Sequence, residues 1–199
     1  MDRLEVIASL VDTYKVYDVA SDHGLLALKL TNHDVTASDI SESSINKMKD
    51  NLNGTNVKII KSDGLNNLDI DSDSTIVIAG VGCYTILKIL KKDLSKLSDT
   101  LIIQANNNHD ILRREICKLG YFIDREETIY INRWYTIIRF RKGHRKYNKL
   151  DYILGPNPKI EYVLFNLKLY KDAYKKIPKR YFLKRVKLNL IIKKMRNYK

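Results

Sequence analysis

Three aspartates close successive apolar runs of the 199-residue chain: Asp18 in Val16-Tyr17-Asp18-Val19-Ala20, Asp39 after the run 34–38, and Asp63 after the run 57–60. Alone, each reads as a turn or helix-cap aspartate. In this order, at the ends of alternating strands, they form a nucleoside-binding constellation. The first turn, Ser21-Asp22-His23-Gly24, departs from the G-x-G-x-x-G dinucleotide fingerprint, because Ala20 and Asp22 stand where glycines would admit a pyrophosphate. An acidic turn instead favours a ligand with a cationic end, and the amino group and sulfonium of S-adenosylmethionine meet that requirement. Asp39, 21 residues after Asp18, is placed to accept hydrogen bonds from ribose hydroxyls. Asp63 is placed to accept from the adenine amino group, with Gly64 allowing close contact. Ala20, Ser21, Gly24, Ile40 and the loop Ala79-Gly80-Val81-Gly82 complete the expected cofactor-binding set, together with His23, which either meets the methionine end or caps the next helix.

The elements that must position these residues follow from hydrophobic period. Leu4, Ile7, Leu10 and Val11 predict an amphipathic lead helix over 2–13, capped by Asp2. Buried strands are predicted at 16–20, 34–38, 57–60, 75–79 and 101–103. Helices are predicted at 25–30, after the Ser41 cap, after Gly82, and near 109–119. The longer segments 121–131 and 134–140, joined by Asn132-Arg133, predict an antiparallel hairpin. Five βα units ending in a hairpin imply an α/β fold with an open, mostly parallel, doubly wound sheet. Such sheets bind ligands at the carboxyl ends of their strands, near the switch point beside the first strand. Past Arg141 the pattern changes, and Leu154-Gly155-Pro156-Asn157-Pro158 breaks any regular element. The expected domains are therefore a sheet domain, 1–150, and a small all-α helical hairpin, 151–199, whose apolar seam runs from Ile160 to Leu167 and from Phe182 to Ile191 across Ile177-Pro178.

Composition bounds the partners. With 44% apolar and 30% charged residues, the chain builds a globular core, which excludes disorder throughout. No apolar run reaches the roughly 18 residues of a membrane span, and the start lacks a signal-peptide pattern, so a cytoplasmic protein without a membrane partner is expected. Cys83 and Cys117, far apart, read as reduced thiols, with no metal-ligand spacing and no metal expected. Residues 145–199 hold 17 Lys/Arg against 3 Asp/Glu, whereas residues 1–144 hold 19 against 20. A solvated helical tail is the bland reading of that split, and a phosphate backbone the functional one. The expected phosphate contacts are Lys168, Lys175, Lys179, Arg180, Lys184 and Arg185.

The Ser21-Asp22-His23 turn, the Ala79-Gly80-Val81-Gly82 loop, the Gln104-Ala105-Asn106 segment and the basic helical tail together resemble bacterial tRNA (adenine-22-N1)-methyltransferases of the TrmK family. Nearly the whole chain is covered. That family's motifs read approximately D-I-G-S-D-H, A-G-M-G-G and Q-P-N, so Ala20 replaces a glycine, Val81 and Cys83 replace methionine and glycine, and Ala105 replaces proline. The resemblance implies a Rossmann-like class I methyltransferase domain, S-adenosylmethionine as donor, and methylation of N1 of adenine 22 in tRNA, by an enzyme expected to act as a monomer. It assigns activity to Asp22, ribose binding to Asp39, the adenine-binding turn to Asp63 and Gly64, and to Asn106 either a contact with the target base or a helix cap.

Transfer to an aromatic nitrogen that already bears a lone pair needs alignment more than a strong base. A carboxylate such as Asp22 would orient the adenine or stabilise the cationic product. N1 lies on the Watson–Crick edge, so the base must be unpaired, and Tyr84, Tyr135 or Trp134 could hold it by stacking, although strand-borne aromatics commonly serve the core. Three other readings stay open: a nicotinamide oxidoreductase, disfavoured by the missing glycines; a methyltransferase acting on another RNA site; and a non-catalytic RNA-binding protein on a Rossmann core.

Overall fold

A computed structural model describes residues 2–198. Its first element, α1 (Arg3–Ser9), is closed by a capping box in which the Asp2 carboxylate accepts the Glu5 amide at 2.8 Å and the Glu5 carboxylate accepts the Asp2 amide at 2.6 Å. Then come β1 (Lys15–Val19), β2 (Asp34–Asp39), α2 (Glu42–Asn51), β3 (Lys58–Lys61), β4 (Thr75–Val81), α3 (Cys83–Lys92), β5 (Thr100–Ala105), α4 (His109–Lys118), β6 (Tyr121–Tyr130) and β7 (Trp134–Lys142). One seven-stranded sheet has the order β3-β2-β1-β4-β5-β7-β6. Strands β1 to β5 are parallel, and the β6–β7 hairpin runs antiparallel against β5. The expected Rossmann-like architecture is present. Its core sets Val6 and Ile7 of α1, Leu10 just after it, and Ile45 and Met48 of α2 against Val16, Val35, Ala37, Val77 and Ile102.

Two of the five expected βα units lack their α-helix. The segment predicted as a helix at 25–30 is a turn followed by a single 3₁₀ turn, Ala27–Lys29. The connection from β1 to β2 is short, residues 20–33, its first part is taken by the loop around Gly24, and one 3₁₀ turn suffices to bury Leu26, Ala27 and Leu30 while Leu25 and Leu28 stay exposed. Gly24, at φ +72°, starts this turn where a Cβ would lie 2.8 Å from Leu52 Cδ1. The β3–β4 connection is also irregular. Buried Leu65 and Leu68 anchor it, and the Lys96 ammonium donates to the carbonyls of Leu65, Asn66 and Leu68 at 3.2, 2.6 and 3.1 Å. One cation thereby satisfies backbone acceptors that a helix would have paired internally.

The chain divides into two compact units between Arg145 and Lys146. The second contains α5 (Lys149–Leu154), α6 (Ile160–Lys176) and α7 (Phe182–Arg196) around Ile153, Leu154, Val163, Leu167, Ile192 and Met195. The expected helical pair thus carries an additional short helix, begun by Asn148, whose side chain accepts the Leu150 amide at 2.7 Å.

In the first unit, α4 is tied to the sheet by fully buried Arg113, which donates to both carboxylate oxygens of Glu126 at 2.9 and 2.6 Å. Glu126→Ala removes the carboxylate and leaves the guanidinium buried, so urea unfolding should show a loss of about 3–5 kcal/mol.

Candidate functional site

Strand order reverses between β1 and β4, and the loops leaving their carboxyl ends enclose a cavity of about 390 Å³. Asp18, Ala20, Ser21, Asp22, His23, Asp39, Ala79, Gly80 and Val81 line it. A second cavity, about 340 Å³, shares Ala20, Asp39 and Val81 with the first and extends past Ile40, Asp63 and Gly64 to Ile89 of α3. Of the expected cofactor-binding residues, Gly24 and Gly82 line neither cavity: Gly24 turns the loop, and Gly82 is the residue before α3.

The three aspartates have different environments. Asp18 is buried and accepts the Ser21 hydroxyl at 2.5 Å. Desolvation, aided by the nearby Asp39 charge and opposed by the Ser21 hydrogen bond, pushes its carboxyl up to about 6. Asp39 accepts the backbone amides of Asp22 at 3.1 Å and Ser41 at 2.9 Å, one on each oxygen, which leaves lone pairs for two ribose hydroxyls. Asp63 pairs with Lys92 at 2.6 Å, and that ammonium holds its carboxyl below the usual range. Asp22 accepts the Ser44 hydroxyl at 3.2 Å and lies 3.3 Å from His23 Nε2 and 4.0 Å from Lys47 Nζ. Ala20 and Asp22 both occupy the left-handed region, at φ +59° and +54°.

At the end of β4 the register shifts around Gly80, whose φ of +82° turns its carbonyl out of the ladder. Asn106 donates to that carbonyl at 2.6 Å and accepts from Gln104 at 3.4 Å. Asn106 therefore braces the glycine loop, and the residue at the α4 cap is Asn108. Arg3 of α1 donates to Gln104 Oε1 at 2.7 Å and lines the first cavity. Its guanidinium lies 5.8 Å from the centre of the Tyr135 ring, and that of Arg133 lies 4.8 Å away. Tyr135 is half-buried against the sheet core, Trp134 meets Tyr130 edge-on at 5.5 Å, and Tyr84 is exposed on α3. Both cysteines are free, and Cys83 is buried.

Sequence reasoning missed Arg3, Leu4, Leu25 and Leu26 in the first cavity, and Val19, Ser62, Thr85, Lys88, Ile89 and Lys92 in the second. Arg3 left one signal: it is the sole basic residue among the first 14, and an acidic pocket for a zwitterionic amino acid needs one cation for the carboxylate. Of the basic residues assigned to phosphate, Lys168 and Lys175 lie on α6, Lys179 and Arg180 on the following turn, and Lys184 on α7, all exposed. Arg185 is engaged inside the hairpin, where Nη1 donates to the Ile177 and Tyr174 carbonyls.

Two consequences are measurable. Because the Asp18 carboxyl titrates near 6 when folded, above its ordinary 3.8, the protein is favoured with Asp18 protonated and loses that stability as pH rises through 6. Asp18→Asn should remove this loss, with a gain in urea unfolding that grows from pH 4 to 8 towards the order of 3 kcal/mol. Ala20→Gly should relieve the left-handed backbone and raise stability by about 1 kcal/mol in the same measurement.

A buried carboxylate with no cation at hydrogen-bond distance among the described residues, an aspartate with free lone pairs and one arginine suit the sulfonium, sugar and carboxylate of S-adenosylmethionine. The methyltransferase-domain family matches residues 1–138. No curated protein sequence matches the chain. Among solved structures, a Streptococcus pneumoniae protein described as a tRNA (m1A22) methyltransferase is 25% identical, with a TM-score of 0.87 over 98% of this chain and 97% of that one. The same protein in complex with S-adenosyl-L-methionine superposes at 0.83, over 98% and 96% of the two chains. M. capricolum TrmK, in complex with S-adenosyl-homocysteine, is 26% identical, with a TM-score of 0.84 over 100% of this chain and 96% of that one. These likenesses bear out the resemblance drawn from the motifs, and the residues matched place the chain in the family of methyltransferase domains.

Proposed function

We propose that this chain is an S-adenosylmethionine-dependent tRNA methyltransferase that modifies N1 of adenine 22. The observation that carries this reading is the extent of the likeness. The general methyltransferase match stops at residue 138, whereas the m1A22 enzymes superpose over 98–100% of the chain, the basic helical unit included.

When bound, S-adenosylmethionine supplies a methyl group made electrophilic by its sulfonium. The chain's own residues select and orient. Asp18 offers the cationic end a buried negative charge, Asp39 accepts from the ribose, and Arg3 meets the carboxylate. Ile40 and Ile89 flank the adenine while Asp63 accepts from its amino group. At the target, Asp22 stands at the cavity mouth, about three-fifths exposed, and accepts a hydrogen bond from the adenine amino group. Positive charge spreads onto that group as N1 is methylated, so the interaction strengthens in the transition state. Tyr84 and Tyr135 supply stacking faces for the unpaired base, and Asn106 keeps the Gly80 loop open to it. The second unit holds tRNA phosphates through Lys168, Lys175, Lys179, Arg180 and Lys184, on a protein that acts as a monomer in the cytoplasm.

Asp22→Ala should lower methyl transfer to a tRNA transcript by about 10²–10³-fold with cofactor and tRNA binding retained, as scored by radiolabelled methyl incorporation. A transcript with guanosine at position 22 should accept no label. Equal labelling of that transcript would assign the enzyme to another RNA site.

A further inference from the structure

The end of the α6–α7 turn and the start of α7 present three consecutive large side chains to solvent: Tyr181, Phe182 and Leu183 are 51%, 69% and 73% exposed. With Arg180 and Lys184 they line a shallow surface hollow. Exposed apolar runs of this size mark contact surfaces.

The turn is held in one geometry. The Tyr181 amide donates to the Pro178 carbonyl at 3.0 Å. Arg185 Nη1 donates to the carbonyls of Ile177 at 2.6 Å and Tyr174 at 3.3 Å, and the guanidinium lies 4.2 Å from the centre of the Tyr174 ring. These bonds satisfy acceptors at the end of α6 and reduce the ordering cost of binding through the tip.

Charge selects the partner. Lys179, Arg180, Lys184 and Arg185 flank the apolar run, and no acidic residue follows Asp172. The same tip of a second copy would bring the same positive charge and be repelled. The occupant must be polyanionic and must also offer flat apolar faces, which unpaired nucleobases between phosphates do. We propose that the Tyr181-Phe182-Leu183 tip stacks on unpaired bases of the RNA substrate, while Lys179 and Lys184 hold the adjoining phosphates. This inference rests on the proposed function and adds to it a base-contacting site remote in sequence from the methyl-transfer pocket.

The test uses the full chain and a full-length tRNA transcript, with Kd measured across a series of KCl concentrations. The double variant Phe182→Ser/Leu183→Ser should weaken binding about tenfold or more at every salt concentration, leaving the slope of log K against log salt unchanged. Phe182→Trp should retain the affinity. Lys179→Ala/Lys184→Ala should instead flatten the slope by about 1 per residue removed. The serine changes lie on exposed positions, so thermal midpoint and S-adenosylmethionine affinity should not move. Unchanged tRNA affinity of the serine variant, or a changed salt slope, would overturn the inference. So would dissociation of an oligomer by the serine changes in sedimentation, which would make the tip a self-association surface. If the unaltered chain neither binds nor methylates tRNA, both readings fall; if it does both and the serine variant matches it, only the tip reading falls.

Discussion

Asp39 holds the site together with its two carboxylate oxygens. One accepts the amide of Asp22 and the other the amide of Ser41, so the acidic loop after β1 is stitched to the carboxyl end of β2 and the start of α2. The Ser21 amide adds a bond to the Ser38 carbonyl at 3.0 Å. These bonds keep Ala20 and Asp22 in the left-handed conformation that aims the loop across the cavity. Left-handed backbone at a residue with a Cβ is unfavourable by about 1–2 kcal/mol, and it persists because neighbouring bonds over-determine it. The same carboxylate lines both cavities, so loop geometry and the shape of the site depend on one side chain.

Charge is divided between the units. Residues 1–144 are almost balanced, and their notable electrostatic feature is local: a carboxylate buried at the switch point, unfavourable until a cation or a proton neutralises it. Residues 145–199 carry all of the excess positive charge, most of it on exposed side chains. The buried carboxylate and the excess of cations thus lie on separate units, and a cationic ligand and a polyanion have opposite electrostatic requirements. Excess positive charge attracts polyanions over a distance set by salt screening.

The β-strands, the terminal hairpin, the helical tail and the acidic set were legible because each has a local signature. Period-2 or continuous apolar runs give strands, caps such as Ser41 give helix starts, and aspartates at the ends of parallel strands collect around the cavities at the switch point. The helix expected at 25–30 failed for the opposite reason. Leu25, Leu26, Leu28 and Leu30 have a helix-like period, but only Leu26 and Leu30 are buried, and which of the four the core takes is not written in the segment itself.

Sequence by itself determined the fold class, the sign of the pocket, the concentration of cations in the last quarter and most of the cavity lining from the β-strand ends. Only the tertiary structure brought Arg3 from the lead helix onto Gln104 and Ile89 from α3 opposite Asp63, because those meetings depend on helix packing across distant segments. It also decided that Asn106 braces Gly80 and that Arg185 closes its own hairpin, since a side chain's partners are set by three-dimensional proximity and competing donors rather than by spacing along the chain.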